Sequence, residues 1–229
     1  MLSVDCVGKT FGTRRVLTSA SLRAPSGAVV GLIGRNGAGK STLLKIAAGL
    51  LQADHGSVTF RGTRIERPRL ATLARGGLFF LPADGFFSPA LCVRTQISLL
   101  QRARGVHSSS DVIERLDVEH LLDRRPGALS GGERRRAALA AAASCNPTCL
   151  LADEPLRDLA PLDAERCTAA LRALACDGCA IVVTGHEVTS VMATVDTVVW
   201  CANGTTRELG PPDLSMNEWE FRQGYLGGA

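Results

Sequence analysis

The sequence predicts an α/β fold: a mostly parallel sheet flanked by helices, with an N-terminal antiparallel β subdomain and a small inserted helical subdomain. Three observations predict it. Short β-rich runs separated by turns fill the opening third, an apolar strand passes through a glycine-rich loop into a helix, and after residue 149 strands and helices alternate. With 229 residues, 45% of them hydrophobic, and a positive mean hydropathy, the chain can bury the core of one such unit, so residues 1–229 read as a single domain.

Taken in order, the opening strands fall at Leu2–Val7, Val16–Leu22, Val29–Ile33 and Ser57–Phe60, the last preceded by Asp54-His55-Gly56 as a turn. Val29–Ile33 delivers the glycine-rich loop, and Ser41–Leu51 is the helix that leaves it. The inserted helical unit occupies 84–129. From Val93 to Leu129 the apolar positions Ile97, Leu99, Leu100, Val112, Ile113, Leu116, Leu121 and Leu122 have helical spacing, with Ser108-Ser109-Ser110-Asp111 as a loop and N-cap. Strands at Cys149–Ala152, Ile181–Thr184 and Thr197–Trp200 then alternate with helices at Glu133–Ser144, Leu162–Ala175 and Val188–Ala193. That order argues for right-handed βαβ units.

Composition excludes several classes. A net charge of +4, from 26 basic and 22 acidic residues, is too small and too dispersed to point to nucleic acid as a partner. No apolar segment follows a basic start at the N-terminus, so a cytosolic chain is expected. The longest apolar run, Ala137 to Ala152, is interrupted by Ser144, Asn146 and Pro147 and falls short of the roughly 18 residues of a membrane span. Eight irregularly spaced cysteines read as buried or incidental thiols, and Cys176 and Cys179 lack a second pair at zinc-finger spacing.

The chemistry sits in three stretches. Gly34-Arg35-Asn36-Gly37-Ala38-Gly39-Lys40-Ser41-Thr42 is a complete P-loop between an apolar strand and a helix. Its glycines let successive N–H groups face a β-phosphate, Lys40 supplies charge to the β and γ phosphates, and the Ser41 hydroxyl is suited to magnesium. Cys149-Leu150-Leu151-Ala152-Asp153-Glu154 is a strand ending in two carboxylates: Asp153 would hold the metal and Glu154 would polarise the attacking water. Standing alone, such a strand end is a solvated acidic pair; after a P-loop it completes a nucleotide site. Leu129-Ser130-Gly131-Gly132-Glu133 forms a second anion-binding nest at a helix start. One chain has no use for two such nests on one nucleotide, so the second implies a phosphate held by another subunit. An ordinary serine-capped helix is the competing reading.

These stretches resemble the ABC ATPase family over essentially the whole chain: GRNGAGKST matches its Walker A, CLLADEP its Walker B and LSGGE its signature. The resemblance implies ATP and magnesium as cofactors and head-to-tail pairing with a second such domain, identical or not. Ser130, Gly131 and Gly132 would then contact the γ-phosphate of the partner's nucleotide. It further implies that His186, after Val182-Val183-Thr184-Gly185, contacts the γ-phosphate, and that Phe11 stacks on adenine. Glu208-Leu209-Gly210-Pro211-Pro212 and Gly224-Tyr225-Leu226-Gly227 resemble endings of importer-type and lipid-export ATPases.

Two positions depart from the family pattern. The family's strand leading into the insert is matched here by Leu78-Phe79-Phe80-Leu81-Pro82-Ala83-Asp84, so Ala83 stands where a glutamine contacts magnesium and the transmembrane partner, with Asp84 one residue off; Ala160 stands where an aspartate crosses the dimer interface, with Asp158 and Asp163 off register. The expected function is a slow or partner-dependent ATPase that powers an integral membrane permease from its cytoplasmic face. A soluble ATPase acting on a macromolecule and a regulatory, low-turnover subunit are the alternatives.

Overall fold

The computed structural model describes residues 1–106, 110–185, 191–218 and 221. Among the described residues ten strands form one continuous sheet, in the order β5-β4-β1-β2-β10-β9-β3-β8-β7-β6. Strands β1 (Leu2–Phe11), β2 (Arg14–Ala24), β4 (His55–Phe60) and β5 (Thr63–Ile65) pair antiparallel. Strands β3 (Val29–Ile33), β6 (Leu78–Leu81), β7 (Cys149–Ala152), β8 (Ala180–Gly185) and β9 (Thr197–Ala202) form the parallel part. The two parts join through β10 (Thr205–Gly210), antiparallel to β9 and parallel to β2 at Thr205 opposite Ser19. The antiparallel portion is thus an extension of the main sheet, and its linking strand was not foreseen from sequence.

Alternation in β3 sets the two cores. Val29 and Ile33 join the cluster under the helical side, whereas Val30 and Leu32 face the cluster that holds α1 (Lys40–Ala47) and the antiparallel strands. Helices α5 (Gly131–Ala143) and α6 (Pro161–Cys176) cover the first face, together with α3 (Val93–Arg104) and α4 (Ser110–Arg115). Among the described residues, no helix is long and apolar enough to cross a membrane.

Several expected boundaries are corrected. Strand β1 runs past Val7 to Phe11 through register shifts and a left-handed Cys6, and the Asp54 carboxylate accepts the Thr10 amide at 2.7 Å. His55-Gly56 belongs to β4, because Gly56 passes so close to β1 that a Cβ there would lie 2.6 Å from the Asp5 carbonyl. Helix α1 stops at Ala47: Gly49 takes φ 70°, and the Leu50 amide folds back to the Lys45 carbonyl. Strand β6 ends at Leu81, since Pro82 has no N–H to continue the ladder, and Pro82–Asp84 turn away from the sheet. Helix α5 starts two residues earlier than expected, at Gly131, under a Ser130 cap. Helix α2 (Leu70–Arg75) and a short helix at Pro212–Ser215 were not anticipated. The helix expected over Val188–Ala193 and the Ser108–Ser109 loop fall largely outside the described residues, as does Gly224–Gly227.

Candidate nucleotide site

The glycine-rich loop occupies residues 34–39, between the end of β3 and the first residue of α1. It is anchored at Gly34, where an added Cβ would lie 2.2 Å from the Cys201 carbonyl oxygen on β9, so no side chain fits without displacing backbone. Gly39 caps α1 at φ 107°, against Leu17 and Val16 of β2. Beneath the loop the Cys201 thiol donates to the Ala38 carbonyl at 3.2 Å, and burial pushes that thiol up to about 11. Arg35, Asn36 and Gly37 are exposed at the tip.

Lys40 is buried, and its ammonium donates to the Gly34 carbonyl at 2.7 Å and the Arg35 carbonyl at 3.1 Å. Burial lowers its pKa from 10.5, opposed by the nearby Glu154, Cys201 and Asp153. A buried cation satisfied by two carbonyls of the loop it stems from can exchange them for phosphate oxygens with little rearrangement.

One residue on, the Ser41 hydroxyl donates to Asp153 Oδ1 at 3.1 Å, although the two are 112 residues apart in sequence. Asp153 leaves the C-terminal end of β7 and is buried. The Thr184 hydroxyl, from the end of the adjacent β8, also donates to Asp153 Oδ1, at 2.6 Å, and accepts the Glu154 amide at 2.8 Å. Sequence reading assigned Thr184 no role; its signal is a hydroxyl at the end of an otherwise apolar strand. Three hard oxygen donors on neighbouring elements, one of them a carboxylate, suit magnesium, which takes few protein ligands and completes its shell with water and phosphate.

Glu154 takes φ 50°, and Arg157 Nη1 donates to its Oε2 at 2.9 Å. It lies on the wall of two cavities. One is the candidate phosphate groove, about 260 Å³, lined by Asn36, Gly37, Gly39, Lys40, Ser41 and Thr42, with Arg14 and Val16 from β2. The other, of similar volume, is lined by Ala83, Asp84, Gly131, Arg134, Arg135, Asp153 and Arg157. Arg14 is a second residue that sequence reading missed; it pairs in register with Phe11 across the β1–β2 hairpin. Phe11 itself is 47% exposed beside the groove, with the Lys9 ammonium 5.6 Å from its ring centroid.

The structure therefore brings together Gly37, Gly39, Lys40, Ser41, Thr42, Asp153 and Glu154. The signature stretch stands apart from that groove. Ser130 caps α5 in a reciprocal box: its hydroxyl accepts the Glu133 amide at 3.2 Å, and its own amide donates to Glu133 Oε2 at 2.7 Å. The capping reading of Ser130 is thus correct, yet its hydroxyl hydrogen stays available to an acceptor. Ser130 and Gly131 are exposed, and nothing lies within 4 Å of where a Gly131 Cβ would be. His186 lies outside the described residues.

At the departing positions, Ala83 lies in the turn after β6 and Asp84 is exposed. Ala160 is the N-cap of α6; Asp158 meets Arg157 at 3.2 Å and Arg135 at 3.6 Å, and Asp163 meets Arg136 at 3.1 Å. All eight cysteines are free.

The arrangement is one of phosphate loop, paired carboxylates and exposed second nest, and residues 17–157 match the family model described as ABC transporter. The chain belongs to the ABC transporter family. It is an ATP-binding subunit of the ABC type, as its relatives are: it is 28% identical to the lipopolysaccharide export system ATP-binding protein LptB of Haemophilus influenzae, over 99% of this chain and 97% of that one. A probable ABC transporter ATP-binding protein of Azorhizobium caulinodans is 30% identical, covering 96% and 81% of the two chains. The ADP conformation of an ATP-binding cassette of an ABC transporter superposes with a TM-score of 0.84 at 25% identity, over 99% and 98% of the chains. A dimeric bacterial ABC transporter cassette gives 0.80 at 26% identity, over 92% and 98%.

Proposed function

We propose that this ABC subunit binds ATP with magnesium, hydrolyses it, and powers a membrane permease through nucleotide-dependent pairing with a second ATP-binding domain. The convergence of the Ser41 and Thr184 hydroxyls on Asp153 Oδ1, beside Lys40 and Glu154, carries this reading. Gly34, Arg35, Asn36, Gly37, Ala38, Gly39, Lys40, Ser41 and Thr42 hold the phosphates, and Phe11 offers its exposed ring to adenine. Ser41 and Asp153 hold magnesium, which when bound offsets phosphate charge. Glu154 polarises the attacking water and His186 contacts the γ-phosphate.

The exposure of Ser130 and Gly131, with the half-buried Gly132 beside them and none of the three lining the groove around Lys40, supports their use on a nucleotide held by another copy or a related chain. The likeness to a dimeric cassette supports the same pairing. Residues 84–129 serve as the helical unit that faces the permease on the cytoplasmic side. With Ala83 and Ala160 at the coupling positions, turnover is slow without the membrane partner.

The deciding experiment is an ATPase assay on the purified chain, alone and reconstituted with the permease that co-purifies from solubilised membranes. Hydrolysis that rises with the permease supports the reading; normal ATP binding with no hydrolysis in either sample makes the chain a non-catalytic subunit. Glu154→Gln should accumulate an ATP-bound dimer on gel filtration.

A further inference from the structure

The turn after β7 contains an ion pair that the family resemblance does not call for. Glu154 sits in the left-handed region at φ 50°, and the chain bends so that the Arg157 amide donates to the Glu154 carbonyl at 3.3 Å. That bend returns Arg157 over the side chain three residues earlier. Its Nη1 reaches Glu154 Oε2 at 2.9 Å while its Nε lies 3.2 Å from Asp158, which in turn lies 3.6 Å from Arg135 on α5. Glu154 keeps only 15% of its side chain exposed and Arg157 34%, so water screens this pair less than an open surface pair. Arg157 and Ala83 line one cavity, whose wall also carries Glu154.

We infer that Arg157 is a positioning residue for the hydrolytic step, one that restrains the Glu154 carboxylate and keeps the isolated chain slow. The inference rests on the reading of Glu154 as the group that polarises water. A carboxylate oxygen already engaged in a charge-assisted hydrogen bond is a weaker acceptor for a water proton, and the pair also fixes the direction in which the carboxylate points. Asp158 and Arg135 fix the guanidinium in turn, so the restraint is built into the turn and the signature helix together.

The test is steady-state ATPase kinetics on the full chain and on Arg157→Ala, Arg157→Lys, Glu154→Gln and the Glu154→Gln/Arg157→Ala double variant, with nucleotide affinity and thermal melting measured separately. Arg157→Ala should raise kcat about three- to tenfold with KM and nucleotide affinity changed less than about twofold, and Arg157→Lys, which keeps a charge but not the fork, should give a smaller rise. The double variant should be no faster than Glu154→Gln, because the effect acts through that carboxylate. Should Arg157→Ala lose its cooperative melt, Arg157→Gln takes its place. An unchanged or lower kcat overturns the inference, and so does a rise that survives in the Glu154→Gln background. If the wild type hydrolyses ATP, Glu154→Gln abolishes it and Arg157→Ala leaves it unchanged, the inference alone fails. If neither wild type nor Arg157→Ala hydrolyses bound ATP, the role of Glu154 fails with it.

Discussion

The Thr184 hydroxyl donates to Asp153 Oδ1 at 2.6 Å and in doing so ties the ends of two adjacent parallel strands beside Ser41, whose hydroxyl donates to the same carboxylate oxygen. The Thr184 Oγ1 also accepts the Glu154 amide, so one side chain sets the position of both acidic residues. Thr184→Val keeps the shape and removes the hydrogen bonds, at a cost of about 1.5–3 kcal/mol for a bond to a buried charged group. The expected outcome is a melting temperature lower by about 5 °C and turnover reduced about tenfold, with Thr184→Ser close to wild type. Calorimetry and an ATPase assay check both; a valine variant that keeps its stability and its rate would show that the hydroxyl is dispensable.

Gly34 and Gly131 make a contrasting pair. A methyl group at Gly34 meets the Cys201 carbonyl at 2.2 Å, whereas at Gly131 it meets open space. Gly34→Ala should lose about 3 kcal/mol of stability and weaken nucleotide binding, because loop or strand backbone must move. Gly131→Ala should leave the melting temperature within about 1 °C yet reduce the ATP-dependent dimer of the Glu154→Gln background. Equal melting temperatures for the two variants would contradict the close approach at Gly34.

Acid should act on the signature helix through Glu133. The Ser130 amide, donating to the carboxylate, holds Glu133 below its ordinary value of 4.5. A carboxyl depressed in the folded state favours folding above its unfolded value, so this contribution is complete at neutral pH and is lost as pH falls below about 4.5. Glu133→Ala should melt about 2–4 °C below wild type at pH 7, the cost of a lost cap, and the gap should narrow toward about pH 3. A gap of constant size across that range would assign the loss to packing.

Thiol labelling should divide the cysteines by burial. Cys6 and Cys176 are exposed, while Cys145, Cys149, Cys167, Cys179 and Cys201 are buried. Burial pushes Cys167 and Cys179 up to about 12 and Cys149 higher still, leaving almost no thiolate at neutral pH. Brief alkylation at about pH 8, mapped by mass spectrometry, should mark Cys6 and Cys176 and reach the five buried thiols only in denaturant. Rapid labelling of Cys149 or Cys179 in the native chain would mean that the β7 and β8 core opens readily.

The sequence by itself determined the class of the protein and made most of its candidate phosphate site legible. Residues 34–42 and 149–154 are contiguous strings whose chemistry depends on their own backbone and on the strand before them, so periodicity and residue type suffice to read them. The places where helices stop were less legible: Gly49 was present as a terminator, but the apolar Leu50 and Leu51 extended the helical pattern past it. Tertiary structure alone decided which hydroxyls meet Asp153, since Ser41 and Thr184 lie 112 and 31 residues away and are brought to it by parallel pairing of β7, β8 and β3. It likewise decided that β10 joins the two parts of the sheet through pairing with β2, and that Arg157 turns back onto Glu154. Both follow from strand register and a left-handed turn, geometric properties that composition and spacing do not carry.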